Sequence, residues 1–152
     1  MIDELDRKIL SMLSTNGRAS FASIGAAVGL SPHGTADRVR RLEREGVLTG
    51  FTAKVDLGSV GRSLDAFIDI RLLPSTDPEE FERLVATLPA VRELAFLTGR
   101  FDYQLRVACR DADDLDRTVR RIRRDAGAAG TETRIVMRSA SFARGVDVDA
   151  ER

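Results

Sequence analysis

The sequence predicts an α+β protein, in which a short run of helices precedes a longer region of alternating strands and helices. Apolar residues recur at helical spacing up to about residue 45, and they alternate at strand spacing from residue 64 onward. The segment 56–63 (DLGSVGRS) contains glycine and serine and interrupts both patterns. We therefore predict a domain over residues 1–55, a linker over 56–63 and a second domain over 64–152.

The N-terminal domain is predicted to contain three helices. The first begins at the acidic pair Asp3-Glu4 and ends near Asn16-Gly17. Ser20 and Ser31 are suited to cap the second and third helices, because a serine hydroxyl accepts a hydrogen bond from a free N–H of the first turn. Only residues 29–31 connect these two helices, and this length is typical of a helix-turn-helix.

The third helix, predicted over residues 32–45, has an apolar side and an arginine-rich side. Thr35, Val39 and Leu42 lie on the apolar side, since they are spaced four and three residues apart. A helix that packs inward through such a strip can present its other side to DNA; a merely solvated charged side is the alternative. That other side and its border contain His33, Gly34, Asp37, Arg38, Arg40, Arg41 and Arg44.

A small β-wing is predicted after the third helix. Residues 47–55 carry the turn signal Thr49-Gly50 between apolar residues. With the three helices, this segment predicts a winged helix-turn-helix domain.

The total charge does not point to a nucleic-acid partner. The 24 Lys and Arg balance 24 Asp and Glu, whereas DNA-binding domains are usually basic. Local charge is the better guide, because four arginines fall between residues 38 and 44. A second basic run, residues 117–124, is expected to be a solvated helix face, with phosphate contact as the alternative.

The region from residue 64 predicts the order strand, helix, strand, strand, helix, strand. Ala66, Ile68 and Ile70 alternate with polar residues on the first strand, and the last strand is predicted over 131–137. This order is that of a ferredoxin-like βαββαβ domain. Its helices cover one face of the sheet, and on the open face we expect Asp69 to pair with Arg106. An open face favours a second copy of the chain, so we predict a homodimer.

Residues for catalysis are scarce in this sequence. It contains one histidine, His33, and one cysteine, Cys109, and we find neither metal-ligand spacing nor a nucleotide or nucleophile motif. We therefore predict no catalytic residue and no metal. No apolar run approaches the roughly 18 residues of a membrane span and the N-terminus does not resemble a signal peptide, so we expect a cytoplasmic protein.

One turn in the second domain is a weak candidate ligand site. Residues 98–103 (TGRFDY) combine a glycine, which lets a ligand approach the backbone, with a carboxylate that could hold an ammonium group. Hairpins often carry Gly and Asp without binding anything, so this signal is not specific alone.

Four segments together resemble the Lrp/AsnC (feast/famine) family of prokaryotic transcriptional regulators: LDRKIL, VGLSP, RVRRLEREGVLTGFTA and TGRFDYQLRV. The resemblance covers residues 2–137. It implies double-stranded DNA as a partner, with Ser31 to Arg44 as the recognition helix. It also implies an amino-acid effector bound between subunits, and homodimers that assemble into octamers. The implied effector residues are Thr98, Gly99, Arg100, Phe101, Asp102, Tyr103, Thr131 and Thr133.

The sequence departs from the family pattern at one place. Ser23-Ile24-Gly25 stands where the family usually has Glu-Leu-Ala, so the second helix lacks the carboxylate of a capping box, at a cost of about 1 kcal/mol. Two other functions remain open. A similar enzyme, siroheme decarboxylase, is expected to need histidines in the second domain, which here has none. A ligand-binding protein without DNA function is disfavoured by the arginine-rich helix.

Overall fold

The computed structural model describes residues 1–142, and the chain passes from one compact unit to the next between Lys54 and Val55. The element order confirms the predicted α+β fold class. Residues 56–63 belong to the second unit, where Arg62 donates a hydrogen bond from Nη1 to the Ala108 carbonyl at 2.9 Å. The elements are α1 (Glu4–Thr15), α2 (Phe21–Val28), α3 (Pro32–Arg44), β1 (Leu64–Leu72), α4 (Pro78–Ala86), β2 (Val91–Phe96), β3 (Tyr103–Cys109), α5 (Ala112–Asp125) and β4 (Ala128–Ile135).

The three N-terminal helices begin at the predicted residues. The Ser20 hydroxyl accepts from the Ser23 N–H at 3.1 Å, and the Ser31 hydroxyl accepts from the Gly34 N–H at 3.0 Å. The α1 helix begins with a reciprocal capping box, in which Asp3 and Asp6 each accept from the backbone N–H of the other.

The α2 and α3 helices approach each other closely at Gly25. A Cβ atom at this position would lie 2.5 Å from the Leu30 carbonyl oxygen and 2.8 Å from the Thr35 hydroxyl. Both separations are shorter than non-bonded atoms tolerate, so the glycine that departs from the family pattern is required by the tight turn in this chain. The core of the unit, formed by Ile9, Leu13, Ile24 and Val39, lies beside this contact.

The predicted β-wing is wrong for this chain. Residues 47–55 are described and contain no strand. Val47, Phe51 and Val55 stay exposed, with fractions of 37%, 53% and 58%, and only Leu48 of the segment's large apolar side chains packs partly against the helical core. Two strands with neither a third strand nor a covering helix are marginal in water, which explains why the turn signal does not produce a hairpin.

The second unit is a four-stranded antiparallel sheet in the order β2-β3-β1-β4, as a ferredoxin-like domain requires. The α4 and α5 helices pack on one face. Among residues 1–142, no helix is both long enough and apolar enough to cross a membrane. The core between helices and sheet includes Ala66, Ile68, Ile70, Phe81, Val85, Tyr103, Leu105, Val107, Leu115 and Ile122.

The predicted pair between Asp69 and Arg106 does not form. The strand register places Asp69 opposite Gln104, whose amide donates to Asp69 at 2.8 Å, and Arg134 of β4 donates to the other carboxylate oxygen at 2.5 Å. Arg106 instead pairs with Asp65 at 2.8 Å. A pattern within one strand shows which residues share a face but not their register with the neighbouring strand.

The last strand is also displaced from its predicted position. The sequence predicts it over residues 131–137, and it forms over Ala128–Ile135. Its pairing begins where Ala128 meets Leu72, beyond a register shift in β1. The segment Ala128 to Gly130 has low strand propensity, so tertiary pairing decides its conformation.

Candidate functional site

A buried carboxylate attaches α3 to α1. Asp6 is fully buried, and its two oxygens accept from Arg38 Nη1 at 2.9 Å and from Arg41 Nη2 at 2.5 Å. Arg38 also binds Asp3 at 2.5 Å. This hydrogen bond, reinforced by the Asp6 N–H, lowers the pKa of Asp3 to about 2, so Asp3 is ionised at neutral pH.

These contacts divide the α3 arginines into two groups. The side chains of Arg38 and Arg41 retain only 28% and 36% of their exposure, because both are directed toward the Asp6 carboxylate. Arg41 Nε is buried without a hydrogen-bond partner among the described residues. The sequence predicted that Arg38 and Arg41 face outward with the other arginines, whereas the structure shows both engaged in holding the helix.

The outward side of α3 carries a short chain of polar contacts. Asp37 lies between His33, whose Nε2 is 3.3 Å from one carboxylate oxygen, and Arg40, whose Nη1 is 3.3 Å from the other. The His33 side chain is 86% exposed and that of Arg40 is 61% exposed. Arg44 is exposed in the last turn. This side therefore offers two accessible guanidinium groups, from Arg40 and Arg44, and one imidazole.

The predicted effector turn is held by its own polar side chain. Gly99 has φ +112°, a conformation that favours glycine. The Asp102 carboxylate accepts from the Leu72 N–H at 2.8 Å, which ties the turn to the end of β1. The sequence predicts that Asp102 holds the ammonium group of a ligand. In the structure its carboxylate instead binds the backbone N–H of Leu72.

Tyr103, another predicted effector residue, points into the core and is 1% exposed. Its ring packs against Phe81 at 4.7 Å and Phe96 at 5.1 Å, and its hydroxyl donates to Glu82 at 2.6 Å. Burial, together with Glu82, raises the pKa of Tyr103 to about 12. The side chain therefore orders the start of β3 from beneath the sheet.

A cavity of about 400 Å³ lies between this turn and β4. Of the eight predicted effector residues, it brings together Arg100, Phe101 and Thr131; Thr98, Gly99, Asp102, Tyr103 and Thr133 are not part of its lining. The Arg100 guanidinium lies 5.1 Å from the centre of the Phe101 ring, and the Thr131 hydroxyl accepts from Arg123 at 2.7 Å. The complete lining is Arg71, Arg100, Phe101, Ala129, Gly130, Thr131 and Glu132.

Sequence reasoning missed four of these lining residues. Arg71 and Gly130 are opposite each other in the β1–β4 register, and Arg71 also donates to the Arg100 carbonyl at 2.9 Å. Ala129 and Glu132 flank the same stretch of β4. The signal that could have found them is the pairing of the first and last strands, which the predicted bounds of β4 obscured.

Two family models match the chain and together cover most of its length. The AsnC-type helix-turn-helix domain matches residues 2–43, and the Lrp/AsnC ligand binding domain matches residues 65–146. The chain belongs to the Lrp/AsnC family of transcriptional regulators. Its N-terminal helices are the DNA-binding module of that family, and its sheet domain is the ligand-binding module.

Curated relatives agree with this assignment. The regulator is 38% identical over 129 residues to an uncharacterized HTH-type transcriptional regulator of Pyrococcus furiosus, covering 82% of this chain and 81% of that one. It is 34% identical over 138 residues to the HTH-type transcriptional regulator AldR of Mycolicibacterium smegmatis, covering 89% and 81%. It is also 37% identical over 112 residues to the leucine-responsive regulatory protein of Escherichia coli, covering 72% and 68%.

Solved structures have the same fold. A transcriptional regulator of Neisseria meningitidis in complex with L-Met has a TM-score of 0.90 at 26% identity, with 98% of each chain covered. A feast or famine regulatory protein of Mycobacterium tuberculosis complexed with L-methionine has a TM-score of 0.90 at 28% identity, covering 97% of this chain and 100% of that one.

The family assignment decides between the functions that the sequence left open. The family consists of transcriptional regulators, so the chain is not a siroheme-decarboxylase-like enzyme. Cys109 is fully buried in the core, and burial raises the pKa of its thiol, as expected of a structural cysteine.

The Asp6 contacts generate a stability prediction. Asp6→Asn keeps the shape of the side chain but removes its charge, leaving Arg38 and Arg41 without their shared anion. Removing one partner of a fully buried pair costs about 3–5 kcal/mol, and the partial exposure of both arginines reduces our expectation to about 2 kcal/mol. Thermal unfolding followed by circular dichroism measures this destabilisation.

Glu4→Gln is the matched control for Asp6→Asn. Glu4 lies on the same helix and forms an exposed ion pair with Lys8 at 2.7 Å. Exposed pairs contribute little, so the melting temperature of this variant should stay close to that of the wild type. Equal destabilisation by the two substitutions contradicts the role assigned to Asp6.

Proposed function

We propose that the regulator binds operator DNA through the exposed side of α3, with Arg40 and Arg44 contacting phosphates. The division of the arginines supports this proposal: Arg38 and Arg41 are committed to Asp6, whereas Arg40 and Arg44 lie four residues apart on the exposed side. Residues spaced by four share one helix face, so both guanidinium groups can reach one strand of the duplex. A planar guanidinium is well suited to phosphate oxygens.

The N-terminal turn of α3 supplies the contacts that read bases in this proposal. Recognition helices of this type enter the major groove with their first residues nearest the base edges. Ser31, His33 and Gly34 lie at this end of the helix and Asp37 lies one turn further along. An Asp carboxylate can accept from the amino group of cytosine. The helix dipole and free N–H groups also favour a nearby phosphate.

The DNA proposal predicts a change in salt dependence. Arg40→Ala and Arg44→Ala should each weaken specific and random DNA alike. The logarithm of the association constant falls as the logarithm of the salt concentration rises. In each variant this negative slope should become shallower by about 0.9 for every phosphate that is no longer neutralised. Fluorescence anisotropy on a labelled duplex measures this slope. Arg18→Ala removes an exposed arginine beyond α1 and serves as the control.

The melting temperatures of the arginine variants separate phosphate contacts from positioning contacts. Arg41→Ala should lower the melting temperature, because Arg41 pairs with buried Asp6. Arg40→Ala and Arg44→Ala should leave the melting temperature nearly unchanged. An unaltered salt slope in both exposed-arginine variants rejects their assignment as phosphate contacts.

We also propose that the cavity beside β4 binds a free amino acid as the effector. Its volume of about 400 Å³ lies in the range of small-molecule sites, and it contains two cations, one carboxylate and one aromatic ring. Arg71 and Arg100 can meet a carboxylate, Glu132 can meet an ammonium group, and Phe101 can contact an apolar side chain. The neighbouring structures that contain L-methionine support an amino acid as the ligand class.

An amino-acid screen by thermal shift tests the cavity. A ligand at about 100 times its Kd stabilises the folded state by about 2.7 kcal/mol, so at least one of the twenty amino acids should raise the melting temperature. Glu132→Gln should abolish this shift, whereas Glu93→Gln, an exposed carboxylate on β2 outside the cavity, should retain it. A shift that persists in both variants, or disappears in both, contradicts the assignment of Glu132.

A homodimer completes the proposal, with octamers as a further assembly. The uncovered sheet face supports it, as do the apolar side chains near the β2 edge: Leu94, Phe96 and Leu97 are 37%, 69% and 38% exposed. Two α3 helices related by a two-fold axis would place half-sites about 34–36 Å apart, or multiples of it. In this proposal the protein acts on DNA in the cytoplasm, with DNA binding assigned to residues 1–55 and effector binding to 64–152.

The oligomer proposal predicts a measurable mass. Sedimentation equilibrium at micromolar concentration should give at least twice the 16.7 kDa of one chain. Phe96→Asp places a charge on the exposed apolar edge and should shift the population toward monomer, since an unpaired charge buried in an interface is costly. A strict monomer of the unaltered chain contradicts the proposal.

A further inference from the structure

A second cavity, of about 660 Å³, lies beside α5 and is rich in arginine, although Asp114, Asp116 and Asp125 pair with five of these arginines. It is bordered by α5, by residues 88–90 before β2 and by Arg62. It shares none of its lining residues with the cavity proposed for the amino acid. Asp114 belongs to its lining together with six arginines: Arg62, Arg110, Arg117, Arg120, Arg121 and Arg124.

Several of these guanidinium groups keep donors available for a ligand. Arg117 lies 3.5 Å from Asp114, and Arg121 lies 3.8 Å from Asp125, so both ion pairs are long. Arg62 is held in place by one hydrogen bond to the Ala108 carbonyl. An arginine has five N–H donors, and one carboxylate or carbonyl occupies only one or two of them.

We propose that this cavity binds the oligophosphate group of a nucleotide. Guanidinium groups bind phosphate oxygens through paired hydrogen bonds, and several arginines around one concave site favour an anion with closely spaced charges over a single carboxylate. The volume suits a nucleotide-sized molecule. Leu88, Pro89 and Ala90 form an apolar wall beside the arginines, which can contact the base.

The shape of the site favours a small molecule over the DNA backbone. A duplex is a wide, rigid rod that contacts protruding side chains, whereas this site combines a concave surface with an apolar wall and an arginine anchored by a carbonyl. None of the residues that line this site belongs to α3 or to the amino-acid cavity. The proposal therefore goes beyond the proposed function.

Isothermal titration calorimetry on the full chain tests the proposal with three probes at constant ionic strength: ATP, inorganic triphosphate and adenosine. We expect ATP and triphosphate to bind at one site per chain and adenosine to bind far more weakly. The double variant Arg117→Gln/Arg121→Gln should weaken ATP binding by about tenfold or more, because each charge-assisted hydrogen bond contributes substantially to affinity.

The control is Arg83→Gln/Arg92→Gln, which removes the same charge from exposed positions of α4 and β2 outside the cavity. It should leave ATP binding unchanged. Absence of ATP binding, or equal weakening of ATP binding in both double variants, overturns the proposal. It is also overturned if Arg117→Gln/Arg121→Gln lowers the affinity for a random duplex and leaves the affinity for ATP unchanged. A melting temperature without ligand close to that of the wild type shows that the Arg117→Gln/Arg121→Gln variant is folded. Because this control requires no amino acid, failure here is distinguishable from failure of the proposed function.

Discussion

The pairing of Asp6 with Arg38 and Arg41, together with the burial of Val39 and Leu42, determines which side of α3 faces the solvent. A buried carboxylate is costly unless cations and hydrogen-bond donors surround it, and here two arginines and the Asp3 N–H do so. Because Asp6 lies on α1, the rotation of α3 about its axis is coupled to the first helix. The outward positions of Arg40 and Arg44 follow from this pairing and from the buried apolar side of the helix.

The second unit uses arginine for several unlike purposes. Arg106 pairs with Asp65 on the open sheet face, and Arg62 and Arg71 donate to backbone carbonyls. The arginines along the outer side of α5 form ion pairs of unequal length. The net charge of zero therefore sums charges held in structural ion pairs with charges that solvent can reach. Only the accessible arginines indicate which partners the protein binds.

Local chemistry made much of the fold predictable. The caps at Ser20 and Ser31, the short turn before α3 and the alternation in β1 are encoded within a few residues of each other. Contacts between distant segments were not predictable in this way. The burial of Asp6 depends on residues more than thirty positions away, and the cavity beside β4 depends on a strand register that no single segment specifies.

In the proposed function, α3, oriented with the help of Asp6, recognises a specific DNA sequence. The most direct test is to select duplexes from a random pool and to measure Kd for the selected duplex and for a scrambled one at the same salt concentration. We predict at least a roughly thousandfold preference for the selected duplex, which is typical of specific DNA-binding proteins. Equal affinity for the two duplexes would contradict the claim.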